Sequence, residues 1–188
     1  MTQKIVHHLI ARFVASQWFV ETDHERDIYL RLLGDALRTS DWTCIAYAVM
    51  SNHIHLGMVA GSTPRASWLR NAHSPFGEWI NRRNERIGSV FVKKPTERVV
   101  NPDEVAKVVA YIHNNPVRAG VVSRANESSW TSHGAYLGSR RRPDWLDVEQ
   151  GYDLMQIKGP ADFNDFVNAE APRPRELRKR TRRAAKRP

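Results

Sequence analysis

Cys44-Ile-Ala-Tyr-Ala-Val-Met-Ser-Asn-His-Ile-His-Leu-Gly-Met-Val-Ala60 is the stretch on which the reading of this chain turns. A run of β-branched, aromatic and small apolar residues breaks at Ser51-Asn52 and then resumes, the pattern of two strands joined by a short turn. Side chains alternate between the faces of a strand, so His53 and His55 point one way while Ile54, Leu56 and Met58 point the other. Two imidazoles on one strand face, roughly 7 Å apart by the strand rise, can lean onto one divalent ion. Gly57, next on that face, is expected to leave open space beside them. Read alone, a His-x-His pair also describes two half-buried histidines on a mixed sheet face, so a partner from elsewhere has to decide.

Upstream, residues 5–14 read as a strand with His8, Ile10 and Arg12 on one face and Leu9, Ala11 and Phe13 on the other. Nothing within that strand makes His8 or Arg12 more than members of an exposed sheet face. Thr22-Asp-His-Glu25 is a capping box, and Ile28, Leu32, Leu33, Ala36 and Leu37 follow at helical spacing until Thr39-Ser40. Downstream, Pro64 opens a helix whose apolar stripe is Trp68, Leu69 and Ala72. Ser74-Pro75 is expected to break it, because proline clashes with the preceding turn, leaving Phe76, Trp79 and Ile80 to a second helix. That helix ends in Asn81-Arg-Arg-Asn-Glu-Arg86, where aromatics beside arginines suit either a packed core or stacking on a nucleic acid strand. Residues 89–100 form a ragged strand or strand pair, interrupted at Lys93-Lys94-Pro95.

The deciding partner comes from the next helix, the best marked in the chain. Asn101 caps it, Pro102 takes its first position, and Asp103 and Glu104 sit in the positive first turn. Val105, Val108, Val109 and Ile112 make a buried stripe. Tyr111 lies on the flank of that stripe, one turn before Asn115, and Pro116 disfavours helical geometry at Asn115, closing the helix there. A tyrosine and a carboxamide are thus held one turn apart at a helix end beside the core. The bland alternative for Tyr111 is a ring packed at the core margin with its hydroxyl bonded.

The elements run strand, helix, strand, strand, helix, strand, helix. The first six match the split β-α-β-β-α-β order of ferredoxin-like folds. This is an α+β domain, an antiparallel sheet with helices on one face, its other face free to carry His53, His55 and a ligand. It is assigned to residues 1–138, with Trp130-Thr-Ser-His-Gly-Ala-Tyr136 as a packed loop or turn. Residues 139–171 form an acidic C-terminal helical extension with two short helices, at 147–155 and 161–168. Residues 172–188 hold too few apolar side chains to order themselves and make a disordered basic tail.

The net charge of +9 is unevenly spread. Residues 173–188 carry nine Lys/Arg against one Glu, and residues 61–100 carry eight basic against three acidic groups. Residues 144–170 carry seven acidic groups against Lys158 alone. Charge segregated in this way implies a polyanionic partner, nucleic acid above all, met by the middle of the domain and the tail. The lone cysteine, Cys44, excludes an internal disulfide framework and fits a reducing cytosol. Arg12 and Gln17 interrupt the N-terminal apolar run, so no signal peptide is read there, and no window approaches a membrane span.

Four stretches together resemble a known family. Met50-Ser-Asn-His-Ile-His-Leu56 resembles the His-hydrophobic-His motif of the HUH single-tyrosine transposases. Tyr111-Ile-His-Asn-Asn-Pro-Val-Arg-Ala-Gly-Val-Val122 is similar to their nucleophile helix and its exit. Asn81-Arg-Arg through Phe91, and Trp130 through Tyr136, resemble two further blocks. The layout is similar to the branch of REP-associated tyrosine transposases, relatives of the insertion-sequence-200-like transposases, over residues 6–138. That resemblance implies His53 and His55 as metal ligands and Tyr111 as the nucleophile. Asn115 takes the place of the polar third ligand that the family sets one turn after its tyrosine. It further implies Mg²⁺ or Mn²⁺ as cofactor and DNA as partner, single-stranded or hairpin, in repeat-type elements. The DNA would be met by Arg12, Arg82, Arg83, Lys93 and Lys94, and by Arg178, Lys179, Arg180, Arg182 and Arg183 of the tail. A monomer or homodimer in a prokaryotic cytoplasm, associated with the nucleoid, fits this picture.

Neutral imidazoles and a carboxamide oxygen suit Mg²⁺ or Mn²⁺ when water and phosphate oxygens fill the remaining positions. Such an ion polarises a scissile phosphate, and a phosphotyrosine link keeps the bond energy so that the strand can be rejoined elsewhere. The expected activity is that of a transposase: a metal-dependent single-stranded DNA endonuclease and strand transferase acting through a 5′-phosphotyrosine. Two readings compete with it. One is a domesticated DNA-binding protein on the same fold that no longer cuts. The other is an unrelated His-x-His metallohydrolase in which Tyr111 is structural.

Overall fold

Alternation along the central strands gives the sheet two different faces, and everything else packs according to which face it meets. The computed structural model describes residues 4–172. Its first elements are β1 (Val6–Arg12), α1 (Asp23–Leu37), β2 (Thr43–Val49), β3 (His53–Val59), α2 (Arg65–Arg83) and β4 (Thr96–Val100). The strands stand in the order β2-β3-β1-β4, each neighbour antiparallel, which is the split arrangement of a ferredoxin-like unit.

On the first face Leu9 lies opposite Leu56 and Ala11 opposite Ile54. Ile54, Leu56 and Met58 are fully buried, each contributing about 1.5–3 kcal/mol by leaving water. Over them α1 and α2 pack against each other, with Tyr29 of α1 edge-on to Phe76 of α2 and Phe13 stacked on Phe76. α1 starts at its capping box, where the Thr22 and Glu21 amides donate to the Glu25 carboxylate. α2 does not break at Pro75, contrary to the sequence expectation; it runs unbroken through it. Trp68, Leu69, Ala72, Phe76 and Ile80 form one buried stripe across the proline, and that packing outweighs the lost hydrogen bond. The aromatics of this stripe are core.

The second face is not free. α3 (Val105–His113) crosses it, entered through a short 3-10 turn at Pro102–Glu104, and sets its Val105, Val108, Val109 and Ile112 stripe on β2 and β3. A stripe this apolar gains too much from burial to remain beside an open sheet. Nor does Gly57 leave open space: a Cβ there would meet Ala46 Cβ and Ile112 Cδ1, both at 3.3 Å. The small residues Ala46 and Gly57 therefore let α3 approach closely.

The end of α3 also differs from expectation. The helix closes at His113, with Asn114 off helical geometry, and Asn115–Arg118 then form one more turn, α4. After it come α5 (His133–Tyr136), α6 (Val148–Met155) and α7 (Pro160–Ala169). The segment around α5 covers the outer edge of β2: Val49 N–H donates to the Trp130 carbonyl at 2.8 Å and Ser132 N–H to the Tyr47 carbonyl at 3.1 Å. Leu146, Val148, Met155, Phe163 and Val167 join the same hydrophobic core as the sheet. No helix among the described residues is long and apolar enough to cross a membrane. The tail residues Arg178, Lys179, Arg180, Arg182 and Arg183 lie outside the described residues.

Candidate active site

His53, His55, Tyr111 and Asn115 come together on the second face. They line one open cleft of about 300 Å³ with Arg12, Asn52 and Arg118. β3 supplies the two imidazoles, whose ring centroids are 4.7 Å apart, and α3 brings the Tyr111 ring to 5.7 Å from that of His55.

Hydrogen bonds set which ring nitrogens are free. His53 Nδ1 lies 2.6 Å from Asn52 Oδ1, and His55 Nδ1 lies 2.9 Å from His8 Nε2. Asn52 Oδ1 is an acceptor, so His53 donates from Nδ1 and keeps a lone pair on Nε2. If His55 likewise donates to His8, its Nε2 lone pair is free as well, the arrangement in which a second residue orients a metal-binding histidine. Burial, first of all, depresses the pKa of each ring: to about 4 for His53, with Arg12 adding to it, and to about 4 for His8, with Arg98 adding. His55 is pushed down to about 2 by burial, then by His53, His8 and Arg12, against a hydrogen bond toward Asn115. All three rings are therefore neutral near pH 7, the form that can coordinate.

Proline chemistry orients the third group. Pro116 has no N–H for the carbonyl of Ile112 one turn back. Asn115 Nδ2 supplies the missing donor, at 3.2 Å from that carbonyl and 3.0 Å from the carbonyl of Tyr111. With both donors turned back on the helix, the carboxamide oxygen is left for the His55 side. Two imidazoles, a carboxamide oxygen and an open cleft fit a six-coordinate hard cation that keeps water or phosphate oxygens. Among the described residues no group of three or more His, Cys, Asp or Glu side chains could hold a metal ion.

Arg118 faces Tyr111 from α4, its guanidinium 4.8 Å from the ring centroid. Its Nε is buried and has no hydrogen-bond partner among the described residues, leaving a charged donor at the cleft. Neither His8 nor Arg118 was singled out as functional from the sequence. His8 becomes legible only once β1 is paired with β3: it stands opposite Gly57, which has no side chain on that strand, and its ring meets the diagonal His55. Arg118 lies inside the Tyr111 block, but its orientation depends on the extra turn after Pro116.

No protein-family model matches the chain, and no curated protein sequence matches it. Among solved structures, a REP-associated tyrosine transposase bound to a REP hairpin aligns with a TM-score of 0.56 at 17% identity, over 77% of this chain and 86% of that one. The two share one fold. A putative transposase from Deinococcus radiodurans aligns with a TM-score of 0.45 at 16% identity, over 61% of this chain and 92% of that one. That neighbour bears the name of the family branch that the four motif blocks resemble.

On this fold the candidate DNA-binding residues separate. Arg12 enters the cleft, with its guanidinium 2.6 Å from Thr96 Oγ1. Lys93 and Lys94 line a different, larger groove of about 780 Å³ between α2 and residues 88–95, together with Arg65 and Arg70. Arg83 pairs with the buried Glu25, and Arg82 lies in a shallow groove between α1 and α2. Arg82, Arg83, Lys93 and Lys94 are therefore not gathered around Tyr111.

Proposed function

We propose that this protein is a divalent-metal-dependent single-stranded DNA endonuclease and strand transferase of transposase type, working through a 5′-phosphotyrosine at Tyr111. The observation that carries the reading is the convergence of Tyr111, His53, His55 and Asn115, from β3 and from the consecutive helices α3 and α4 far from it in sequence, on one open cleft. A divalent ion bound there would supply Lewis-acid polarisation of the scissile phosphate and stabilise charge developing in the displacement. His53 and His55 would hold it through neutral Nε2 atoms, and Asn115 through Oδ1.

The Tyr111 phenol gives its proton to water in the open cleft, which returns one to the departing 3′ oxygen, and the phenol oxygen attacks phosphorus. The new tyrosine O–P bond replaces the bond to the 3′ oxygen, which takes a proton and departs as a free hydroxyl. Arg118, which lines the cleft with its guanidinium over the Tyr111 ring, would place positive charge beside a non-bridging phosphate oxygen. Because the link keeps the energy of the phosphodiester, another 3′ hydroxyl can reverse the step and join the strand elsewhere. A hairpin with an unpaired flank is the substrate class that suits this cleft, since a flexible strand can enter it while the paired part rests on basic surface. The structurally similar transposase was solved bound to a REP hairpin.

The test is a denaturing gel with labelled single-stranded and hairpin DNA taken from sequence flanking the gene, in Mn²⁺. Wild-type protein should form a denaturation-resistant adduct. Tyr111→Phe should form none while still binding the DNA, because the ring still packs and phosphate contacts supply most of the affinity. An adduct from the Phe variant overturns the mechanism. Binding by wild-type protein without an adduct on any such hairpin points instead to a DNA-binding module that does not cut.

A further inference from the structure

All six tryptophans of the chain lie in the described residues, and five are buried or half-buried. Trp18 is 69% exposed. It sits on a short projecting segment, residues 14–18, between β1 and α1, whose other tip residues Ala15, Ser16 and Gln17 are exposed as well. So exposed, the indole is accessible to a partner molecule.

The segment is held, and held under strain. Ala15 (φ 51°, ψ 24°) and Ser16 (φ 54°) both occupy the left-handed region, which costs a non-glycine residue about 1–2 kcal/mol. Both ends of the projection are fastened. Phe13 N–H donates to the Asn52 carbonyl at 3.1 Å and Val14 N–H to the Val90 carbonyl at 3.0 Å. On the far side Phe19 N–H donates to the Ser51 carbonyl at 3.0 Å, and the Phe13 and Phe19 rings bury against each other, centroids 5.4 Å apart. Two buried phenylalanines therefore clamp a loop that turns its tryptophan outward. Strain maintained in this way is a mark of function.

Position says what the occupant is. The loop rests on the Ser51-Asn52 turn, whose Asn52 bonds His53, and its Ser16 lines the same cleft as His53 and Tyr111. Cations surround this end of the molecule: Arg12 and Arg118 in the cleft, and Arg86 with its guanidinium 4.6 Å from the Phe19 ring centroid. An exposed indole two residues from the wall of a cation-lined cleft suits an unpaired nucleic acid strand, arginines taking phosphates and the ring taking a base. We infer that Trp18 is the stacking platform for a nucleobase of the single strand that enters the cleft beside His53. The inference rests on the proposed function and names how that site grips the unpaired flank.

Binding is best measured on full-length protein carrying Tyr111→Phe, so that no covalent product forms, by fluorescence anisotropy of a single-stranded oligonucleotide and of a duplex of equal length. Adding Trp18→Ala should weaken single-strand binding roughly tenfold or more, in line with the loss of one base–aromatic stack, and leave duplex binding within about threefold. Trp18→Tyr, which restores a stacking face, should recover most of the loss. Thermal melting of each variant identifies any fold defect, and Trp18→Tyr decides the matter if Trp18→Ala is damaged. Single-strand affinity unchanged in Trp18→Ala overturns the inference, as does an equal loss on duplex. A change of oligomeric state in Trp18→Ala with unchanged DNA affinity also overturns it, assigning the indole to a subunit contact. Failure of the underlying function has a different sign: no adduct from protein with Tyr111 intact, whatever occupies position 18.

Discussion

At the scale of single residues the site depends on which nitrogen of each histidine carries the proton. The 2.9 Å contact between His8 Nε2 and His55 Nδ1 is productive for coordination in one direction only, His55 donating and His8 accepting. His8→Ala removes the acceptor, leaves a buried N–H unpaired and lets the His55 ring take the other tautomer. Mn²⁺ affinity, read by calorimetric titration, should fall roughly tenfold or more. His8→Gln, whose amide oxygen can still accept, should fall less. Equal Mn²⁺ affinity in His8→Ala would reduce the pair to packing. Tyr111 belongs to the same scale: its value as a nucleophile rests on one oxygen, which is why Tyr111→Phe is the cleanest probe of the chemistry.

At the scale of elements the decisive contact is the one between α3 and the sheet. α3 delivers Tyr111 and leads directly into the α4 turn that begins with Asn115, and its depth over β3 is set by Gly57, where a Cβ would already come within 3.3 Å of Ile112 Cδ1. Gly57→Val would overpack this contact, costing about 1–3 kcal/mol and lifting α3 away from His53 and His55. The expected result is a lowered denaturant midpoint together with loss of adduct formation. A variant that loses stability but forms adduct at the wild-type rate would show that the depth of α3 does not govern the chemistry. The far side of α3 is fastened too: His113 Nε2 lies 2.7 Å from Ser132 Oγ, and Asn114 Nδ2 donates to the Val167 carbonyl of α7 at 2.6 Å. The C-terminal helices thus act on the site by holding the helix that bears its tyrosine.

Over the whole molecule, buried neutral histidines make stability depend on pH. Burial pushes His73 down to about 4 and also lowers His113 and His133, whose Nδ1 atoms are 3.4 Å apart. In the unfolded chain each returns to about 6.5. As pH falls below 6.5 the unfolded state takes up protons that the folded state refuses, so stability is fully present above that value and is lost toward pH 4. Each group contributes a slope of up to about 1.4 kcal/mol per pH unit within that window. Urea midpoints should therefore drop steeply between pH 7 and pH 5. Midpoints that stay level across this range would mean that the buried rings are protonated in the folded protein.

Much of the architecture was legible in short stretches of sequence. The alternation around Ser51-Asn52 determined β2, β3 and the shared face of His53 and His55. The capping box determined the start of α1, and Asn101-Pro102 the entry to α3, because such signals act over a few bonds. The one-turn spacing from Tyr111 to Asn115 was likewise local. Tertiary structure decided what depends on which surfaces meet. Local clash argued for a break at Pro75, but a stripe from Trp68 to Ile80 carries α2 through it. A sheet face counted as free is covered by α3, since burying its apolar stripe on Ala46 and Gly57 is worth more than leaving both in water. The pairing of β1 with β3 brings His8 to His55 across 47 positions, a register that no pattern within either strand contains. Periodicity tells which way a side chain points along its own strand or helix; what it points at is set by the free energy of packing the whole chain.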